Sequence, residues 1–213
     1  MMNTCYIACA LDCDINISPK EGDLVIGADR GYFTLVKNGV SPHVAIGDFD
    51  SYTGEIDCKN VLVYPVKKDD TDSALAIKYA CENGYKRIIV YGAIGGALDH
   101  TIANIALTAQ YAEKGVEVAF VDGDNVLFGI CNSRVSFDSQ ASGRISVFSY
   151  GDKAVGVYEK GLLYTLENAT LDNKIPLGVS NEFIGEKAQI SVSRGVLLVY
   201  TNKNNYKNHL TRM

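Results

Sequence analysis

The sequence contains no tryptophan, four prolines and three histidines among 213 residues, and it has no long apolar run. A helix that crosses a membrane needs about 20 apolar residues in a row, so we expect no membrane span. The first residues, M-M-N-T-C-Y-I-A, contain no basic stretch, and they predict no signal peptide. The net charge of −5 disfavours nucleic acid as a partner, because a phosphate backbone is bound by basic surfaces.

Cysteine pairs of the C-x-x-C type are also missing, although the chain has six cysteines. Neither the cysteines nor the histidines have the spacing of zinc ligands, so the sequence predicts no zinc site. A cysteine in a buried strand acts as a small apolar residue, and we expect free structural thiols. Free thiols suit a reducing compartment, which favours a cytoplasmic protein.

Predicted strands and helices alternate over roughly the first 125 residues. Apolar segments predict strands at residues 5–11, 24–28, 44–46, 61–66, 87–91 and 116–121. Capping residues and glycines bound predicted helices at residues 31–38, from Thr71 or Asp72 to about 83, and at residues 99–114. Alternation of this kind is typical of a parallel sheet with helices on both faces.

Beyond about residue 125 the helical patterns end. Short segments with alternating apolar and polar residues follow, separated by turns, and they are typical of a small all-β sandwich or barrel. The polar last residues, from about 202, are expected to fray. The predicted fold is therefore α/β, with a Rossmann-like parallel-sheet domain at residues 1–125 and an all-β sandwich domain at residues 126–213.

Polar motifs follow the predicted strands of the first domain, at Asp12, Asp29, Asp48, residues 69–72 and residues 92–100. The carboxyl ends of parallel strands meet at one edge of a sheet, and ligands bind beyond that edge. Solvated acids without a function would instead scatter to both edges. The shared position therefore predicts a ligand site.

Two of these motifs, G-D-F-D-S and K-D-D-T-D-S, concentrate five aspartates. Clustered carboxylates repel each other unless a cation or water separates them, and a hard cation such as Mg²⁺ prefers oxygen ligands. We interpret Asp48, Asp50 and Asp72 as metal ligands and Lys68 as a counter-charge for a phosphate. The alternatives are a solvated turn for the first motif and acids favoured by a helix dipole for the second.

The segment G-A-I-G-G-A-L-D-H could bring backbone N–H groups to a phosphate, although it matches neither a Walker A loop nor G-x-G-x-x-G. Asp99 in this segment could instead cap the helix that follows. Arg30 could hold phosphate oxygens with its guanidinium or form only a weak local pair with Asp29. Covalent catalysis has no obvious carrier, because the sequence has no G-x-S-x-G elbow and no neighbouring cysteine and histidine.

Four motifs, A-D-R-G, G-D-F-D-S, K-D-D-T-D and G-x-x-G-G-x-x-D-H, resemble in order and spacing the thiamine pyrophosphokinase (thiamine diphosphokinase) family of bacterial type. The second half adds G-L-L-Y-T-L and G-V-S-N-E, which resemble the segments that enclose thiamine in that family. The resemblance implies an ATP-binding α/β domain and a β-sandwich domain that binds thiamine and pairs the subunits of a homodimer. It also implies a Mg²⁺-dependent transfer of pyrophosphate from ATP to the hydroxyl of thiamine, giving thiamine diphosphate and AMP.

The resemblance also assigns roles to individual residues. Asp48, Asp50 and Asp72 would form the catalytic metal and pyrophosphate site, and Asp99 or Asp72 would take the proton of the thiamine hydroxyl. Asp99 would also lie near thiamine, and the partner subunit would supply Ser180 and Asn181 to the thiamine pocket. The residues of the ATP site would be Asp29, Arg30, Lys68, Thr71, Gly92, Gly95 and Gly96.

One position departs from the family pattern G-G-R-x-D-H, because Ala97 stands where the family has arginine. The loop therefore lacks a cation that could meet the triphosphate of ATP. Arg30, Lys67 or Lys68 could replace that cation.

Two other functions fit the same residues. A Mg²⁺-dependent phosphohydrolase could use the aspartates without an alcohol acceptor, and a sensor could bind a thiamine-like ligand without turnover. The full set of aspartates argues against a sensor. The second domain, for which hydrolysis has no evident use, argues against a hydrolase.

Overall fold

The computed structural model describes residues 3–49, 56–65 and 70–212. Two compact units share the chain: the first combines Met1–Leu107 with Val118–Gly123, and the second combines Thr108–Glu117 with Asp124–Met213. The chain as a whole is a mixed α/β protein with a large mixed sheet. No helix of the described residues is both long enough and apolar enough to cross a membrane.

The first unit is built on parallel strands. β1 pairs with β2 and with β5, and β3 lies between β2 and β4, all in parallel. The strands are β1 (Thr4–Ala8), β2 (Leu24–Ala28), β3 (Val44–Gly47), β4 (Asn60–Val63), β5 (Arg87–Tyr91) and β6 (Glu117–Asp122), whose first residue belongs to the second unit. The helices are α1 (Gly31–Lys37), α2 (Asp72–Glu82) and α3 (Leu98–Glu113), whose end from Thr108 also belongs to the second unit.

The predicted strands and helices of this half are confirmed, with small shifts at their ends. The predictions at 24–28 and 87–91 match β2 and β5 to the residue. β1 ends at Ala8 instead of residue 11. Beyond it, the N–H of Cys9 donates to the carbonyl of Tyr91 at the end of β5, and the N–H of Leu11 donates to the carbonyl of Gly92 in the loop that follows.

Thr71, one of the two residues that the sequence predicts as the cap, is the N-cap of α2. Its Oγ1 accepts a 3.2 Å hydrogen bond from the N–H of Ala74, which satisfies one of the unpaired donors of the first turn. Asp72, the first helical residue, adds a negative charge where the helix dipole favours one. The cap therefore fixes where two of the predicted site residues lie.

The second unit contains only antiparallel strand pairs among those described. Its longest strand, β9 (Arg144–Lys160), pairs with four others. Gly129 packs closely on the end of α3, because a Cβ there would lie 2.9 Å from Cβ of Ala112. The other strands are β7 (Asn125–Cys131), β8 (Arg134–Phe137), β10 (Leu166–Asp172), β11 (Asn181–Glu182), β12 (Ala188–Ser191), β13 (Arg194–Asn202) and β14 (Leu210–Arg212).

The expectation that the polar tail frays is wrong. A short π-helical segment, Asn205–His209, leads into β14, which pairs with β8. Tyr206 is 2 % exposed, its hydroxyl donates to Glu117, and Glu117 also forms an ion pair with Arg212. The tail is polar in sequence but ordered in the structure, because its polar groups are bonded within the second unit.

All six cysteines lie in the described residues, and each is a free thiol. Cys5 and Cys9 are buried in the first unit, which agrees with the predicted role as small apolar side chains.

Candidate active site

A cavity of about 420 Å³ lies in the first unit where the parallel strands end. Asp29 follows β2, Asp48 follows β3, and Gly92 follows β5. The sequence-predicted residues among its lining are Asp29, Asp48, Thr71, Asp72, Gly92 and Gly96. The structure therefore brings together six of the predicted residues.

The turns that carry Asp29 and Asp48 are packed against each other. A Cβ on Gly47 would lie 3.1 Å from Cα of Asp29, and the N–H of Asp29 donates a 2.7 Å hydrogen bond to the carbonyl of Ile46. Asp29 has a φ of 49°, a left-handed conformation that aspartate tolerates better than most residues. Such strained positions cluster at ligand sites.

The glycine-rich loop is held against the segment that follows β1. Gly92 has a φ of 66°, and a Cβ there would lie 2.4 Å from the carbonyl oxygen of Leu11. A Cβ on Gly96 would meet the Leu11 side chain at 2.8 Å. Glycine at these positions therefore allows the close approach of two backbones along the cavity wall. Gly95, by contrast, is not part of the lining.

Two predicted residues lie elsewhere in the first unit. Asp99 is exposed in the first turn of α3, and its Oδ1 accepts a 2.8 Å hydrogen bond from the N–H of His100. The helix begins at Leu98, so Asp99 is not its N-cap. Arg30 lines a neighbouring cavity of about 330 Å³, together with the ion pair of Lys37 and Asp12.

Asp50 and Lys68 lie outside the described residues, as does Lys67. In the described part of the chain, no group of three or more histidine, cysteine, aspartate or glutamate side chains is arranged to hold a metal ion. Asp48 and Asp72 nevertheless line one cavity, and Mg²⁺ needs only one or two protein carboxylates when phosphates and water supply its other oxygens. The donor set of the cavity therefore fits Mg²⁺.

Cys9 also lines the cavity but does not supply a soft ligand. Burial, together with the smaller effect of the nearby Asp72 carboxylate, raises the pKa of the Cys9 thiol to about 12. A neutral thiol is a weak ligand, because metals bind the thiolate. The chemistry of the cavity is therefore that of oxygen donors.

Several lining residues were missed by the sequence reasoning. Ser73 and Asn104 are both buried, and their side chains are hydrogen-bonded to each other at 2.8 Å. A signal was present, since Asn104 lies in an otherwise apolar stretch of a predicted helix, I-A-N-I-A-L. Cys9 was missed as well, whereas Asp70 and His100, which also line the cavity, belong to the motifs that the sequence analysis placed at this edge of the sheet.

In the second unit, the two segments predicted to enclose thiamine are neighbours. The N–H of Leu163 donates a 2.9 Å hydrogen bond to the carbonyl of Glu182, and Leu162 forms a β-bridge with Phe183. Ser180 is exposed with a φ of 59°, and its N–H donates to Oγ of Ser146.

The side chain of Asn181 connects these segments through hydrogen bonds in the interior of the unit. Its amide oxygen accepts from the N–H groups of Tyr164 and Glu182, each at 2.9 Å. Its amide nitrogen donates to the carbonyl of Tyr164 at 2.7 Å and to Oε2 of Glu159 at 2.8 Å. All four hydrogen-bonding positions of this amide are thus used within the unit.

Comparisons with known proteins show similarity to one family over both halves of the chain. A family model described as "Thiamin pyrophosphokinase, catalytic domain" matches residues 18–120, and one described as "Thiamin pyrophosphokinase, vitamin B1 binding domain" matches residues 133–197. A thiamine pyrophosphokinase from Bacillus subtilis is 29 % identical over 193 residues, which cover 87 % of this chain and 90 % of that relative.

Solved structures show the same similarity. The crystal structure of thiamine pyrophosphokinase from Bacillus subtilis superposes with a TM-score of 0.84 at 26 % identity, covering 94 % of this chain and 99 % of that one. The crystal structure of thiamin pyrophosphokinase from Geobacillus thermodenitrificans gives a TM-score of 0.80 at 28 % identity, with 94 % and 97 % covered.

Proposed function

This chain belongs to the thiamin pyrophosphokinase family, and we propose that the cavity at the strand ends of the first unit is its active site. The chain is a thiamine pyrophosphokinase, with ATP as co-substrate. The observation that carries the proposal is the convergence of Asp29, Asp48 and Asp72 on the same cavity as the glycine-rich loop.

The reaction joins an oxygen of thiamine to phosphorus. The hydroxyl oxygen of thiamine attacks the β-phosphorus of ATP, the bond between that phosphorus and the α–β bridging oxygen breaks, and AMP leaves with the electron pair. Catalysis of such transfers consists mainly of positioning and charge stabilisation, so residues that hold the polyphosphate rigidly are the ones expected to matter.

The proton of the hydroxyl passes to a carboxylate, as general-base catalysis requires. Asp72 or Asp99 can take this role. Asp72 lies in the cavity lining, whereas Asp99 is exposed in the first turn of α3. Asp72 is also proposed as a metal ligand, and a carboxylate beside a cation is a weaker base, so Asp99, which would lie near thiamine, remains an equal candidate for the base.

We also propose that Asp48, Asp50 and Asp72 hold Mg²⁺ on the polyphosphate. When bound, the ion would offset the negative charge that develops on the phosphates. Backbone N–H groups near Gly92 and Gly96 would meet phosphate oxygens, with Gly95 in the same loop. The other proposed contacts to ATP are Asp29, Arg30, Lys68 and Thr71.

The finer organisation of the chain belongs to the same proposal. A Rossmann-like domain at residues 1–125 would bind ATP, and a β-sandwich at residues 126–213 would bind thiamine and pair the subunits of a cytoplasmic homodimer. Support comes from the separate catalytic and vitamin B1 binding descriptions that match the two halves. Leu163, Tyr164 and Ile184, which are exposed beside Asn181, offer apolar surface for thiamine or a second subunit.

The experiment that tests the function measures AMP release from ATP and Mg²⁺ with and without thiamine, and identifies the product by mass. We expect AMP release that depends on thiamine, with thiamine diphosphate as the product. Inorganic phosphate released without thiamine would indicate a hydrolase. Tight thiamine binding without AMP would indicate a sensor.

A further inference from the structure

A buried chain of hydrogen bonds connects the start of α2 to the glycine-rich loop. Oγ of Ser73 donates to Oδ1 of Asn104 at 2.8 Å, and Nδ2 of Asn104 donates to the carbonyl oxygen of Ala93 at 2.7 Å. Ser73 is 7 % exposed and Asn104 is 4 % exposed. Ser73 and Ala93, at the two ends of this series of hydrogen bonds, line the cavity, and so does Asn104 between them.

The chemistry of the partners fixes the direction of each proton. A backbone carbonyl can only accept, so the amide nitrogen of Asn104 must face Ala93 and its oxygen must face Ser73. Because Ser73 gives its single proton to Asn104, the 3.0 Å contact between Thr71 and Ser73 requires Thr71 to donate. All three hydrogen bonds therefore have the same direction: Thr71 donates to Ser73, Ser73 donates to Asn104, and Asn104 donates to the carbonyl of Ala93.

We propose that Asn104 is a positioning residue for pyrophosphoryl transfer. Its amide ties the helix turn that carries Asp72 to the loop that begins at Gly92, so the carboxylate and the phosphate-binding backbone keep a fixed separation. This inference rests on the proposed function, since it concerns the alignment of the same polyphosphate.

A second consequence concerns Thr71. Its proton is committed to Ser73, and its oxygen already accepts from the N–H of Ala74. Thr71 therefore has no proton for a phosphate oxygen and meets a bound ligand as an acceptor only. The hydrogen bonds thus make Thr71 an acceptor toward a ligand, and they also fix the distance between the start of α2 and the glycine-rich loop.

The test is the isosteric variant Asn104→Asp. A protonated carboxyl can still donate to Ala93, but an ionised one places a negative oxygen against that carbonyl. We expect kcat near neutral pH to fall about 10- to 100-fold, since small misplacements of reacting groups cost that much, while KM for thiamine stays within roughly twofold. The ratio of variant to wild-type kcat should fall as pH rises. The other ionisable side chains of this cavity are Cys9, Asp29, Asp48, Asp70, Asp72 and His100.

A second variant, Ser73→Ala, removes one link with less risk to folding. The loss of a single buried hydrogen bond predicts a kcat roughly 3- to 10-fold below wild type, with no dependence on pH beyond that of the wild type. The double variant should be no slower than Asn104→Asp alone, because both changes interrupt one network.

Asn83→Asp is the matched control. Asn83 is exposed at the end of α2, and its Nδ2 donates to the carbonyl of Tyr79 at 2.9 Å. The same exchange of amide for carboxyl there should leave kcat and its pH profile unchanged. Melting temperatures of all variants are recorded at each pH.

Wild-type kcat and pH profile in both Asn104→Asp and Ser73→Ala would overturn the inference. So would a loss of activity that only follows the unfolded fraction. If Asn104→Asp does not fold, kcat and the KM values of Ser73→Ala decide. The absence of thiamine-dependent AMP release in the wild type would instead be a failure of the proposed function itself.

Discussion

The amide nitrogen of Asn181 donates a 2.8 Å hydrogen bond to the carboxyl of Glu159, and the two residues are 4 % and 1 % exposed. The other carboxyl oxygen, Oε1, is buried without a hydrogen-bond partner among the described residues. Burial raises the pKa of Glu159, and the hydrogen bond from Asn181 opposes that rise only in part. The interior of the second unit therefore holds a carboxyl whose pKa lies above the ordinary value of glutamate.

Glu159→Gln should make stability less dependent on pH. The raised pKa in the folded state means that this group contributes stability below the unfolded pKa and loses it as pH rises through the folded pKa. The free energy of unfolding of the wild type should therefore fall relative to the variant as pH rises above about 4.3, the ordinary pKa of glutamate. Denaturant unfolding at several pH values measures this, and parallel curves for the two proteins would contradict it.

Ser180→Ala should change mainly KM for thiamine, whereas Asn181→Ala should change mainly stability. Ser180 is exposed, so its loss should raise KM for thiamine roughly 3- to 10-fold and leave KM for ATP and the melting temperature nearly unchanged. Asn181 uses its whole amide inside the unit, so its loss should lower stability by roughly 2–3 kcal/mol. Kinetics and thermal unfolding of both variants separate the two effects. An equal change in both KM values for Ser180→Ala would argue against its place at thiamine.

Asp72→Asn should reduce kcat by about 10²- to 10⁴-fold, the usual contribution of a general base, and it should weaken the dependence of the rate on Mg²⁺. The fold should persist, because an amide can still occupy the first turn of α2. AMP release is measured at several Mg²⁺ concentrations. Asp152→Asn, at an exposed residue of the second unit, is the control. Turnover near that of the wild type in Asp72→Asn would remove this residue from the proposed site.

Gly92→Ala should be costly both for stability and for activity. Its φ is positive and the new Cβ would meet the carbonyl oxygen of Leu11 at 2.4 Å. Gly84→Ala is the matched control, because its φ is 86° but nothing lies within 4 Å of its Cβ position. We expect about 1 kcal/mol lost at Gly84 from backbone strain and roughly 2 kcal/mol more at Gly92 from the clash. Equal losses in thermal unfolding would show that the loop yields without strain.

Strands and caps with a strong local signal were predictable. The run R-I-I-V-Y gave β5 to the residue, because a strand buried on both faces needs an unbroken apolar sequence. An N-cap at Thr71 or Asp72 was predictable because both side chains can accept a hydrogen bond from an N–H of the first helical turn, and Thr71 is the cap. The convergence of Asp29, Asp48 and Asp72 followed from parallel strands sharing one carboxyl edge.

Features set by distant contacts were not predictable. Asn104 meets Ser73 across 31 positions of sequence, and no local pattern reveals such a pair. The tail was expected to fray because it is polar, yet Tyr206 is buried through a partner 89 positions away, Glu117. Asp99 is a further case, since its place in the first turn of α3 depends on where the helix begins.

The interleaving of the two units along the chain has a consequence for engineered hybrids. A junction near residue 125 would take Thr108–Glu117 from one parent and Gly129 from the other. The Cβ that any other residue would bring to position 129 would lie 2.9 Å from Ala112, so a second parent without glycine there would collide with α3. Exchange of the second unit between relatives therefore requires crossovers on both sides of Val118–Gly123, so that the end of α3 is transferred together with the strands it packs against.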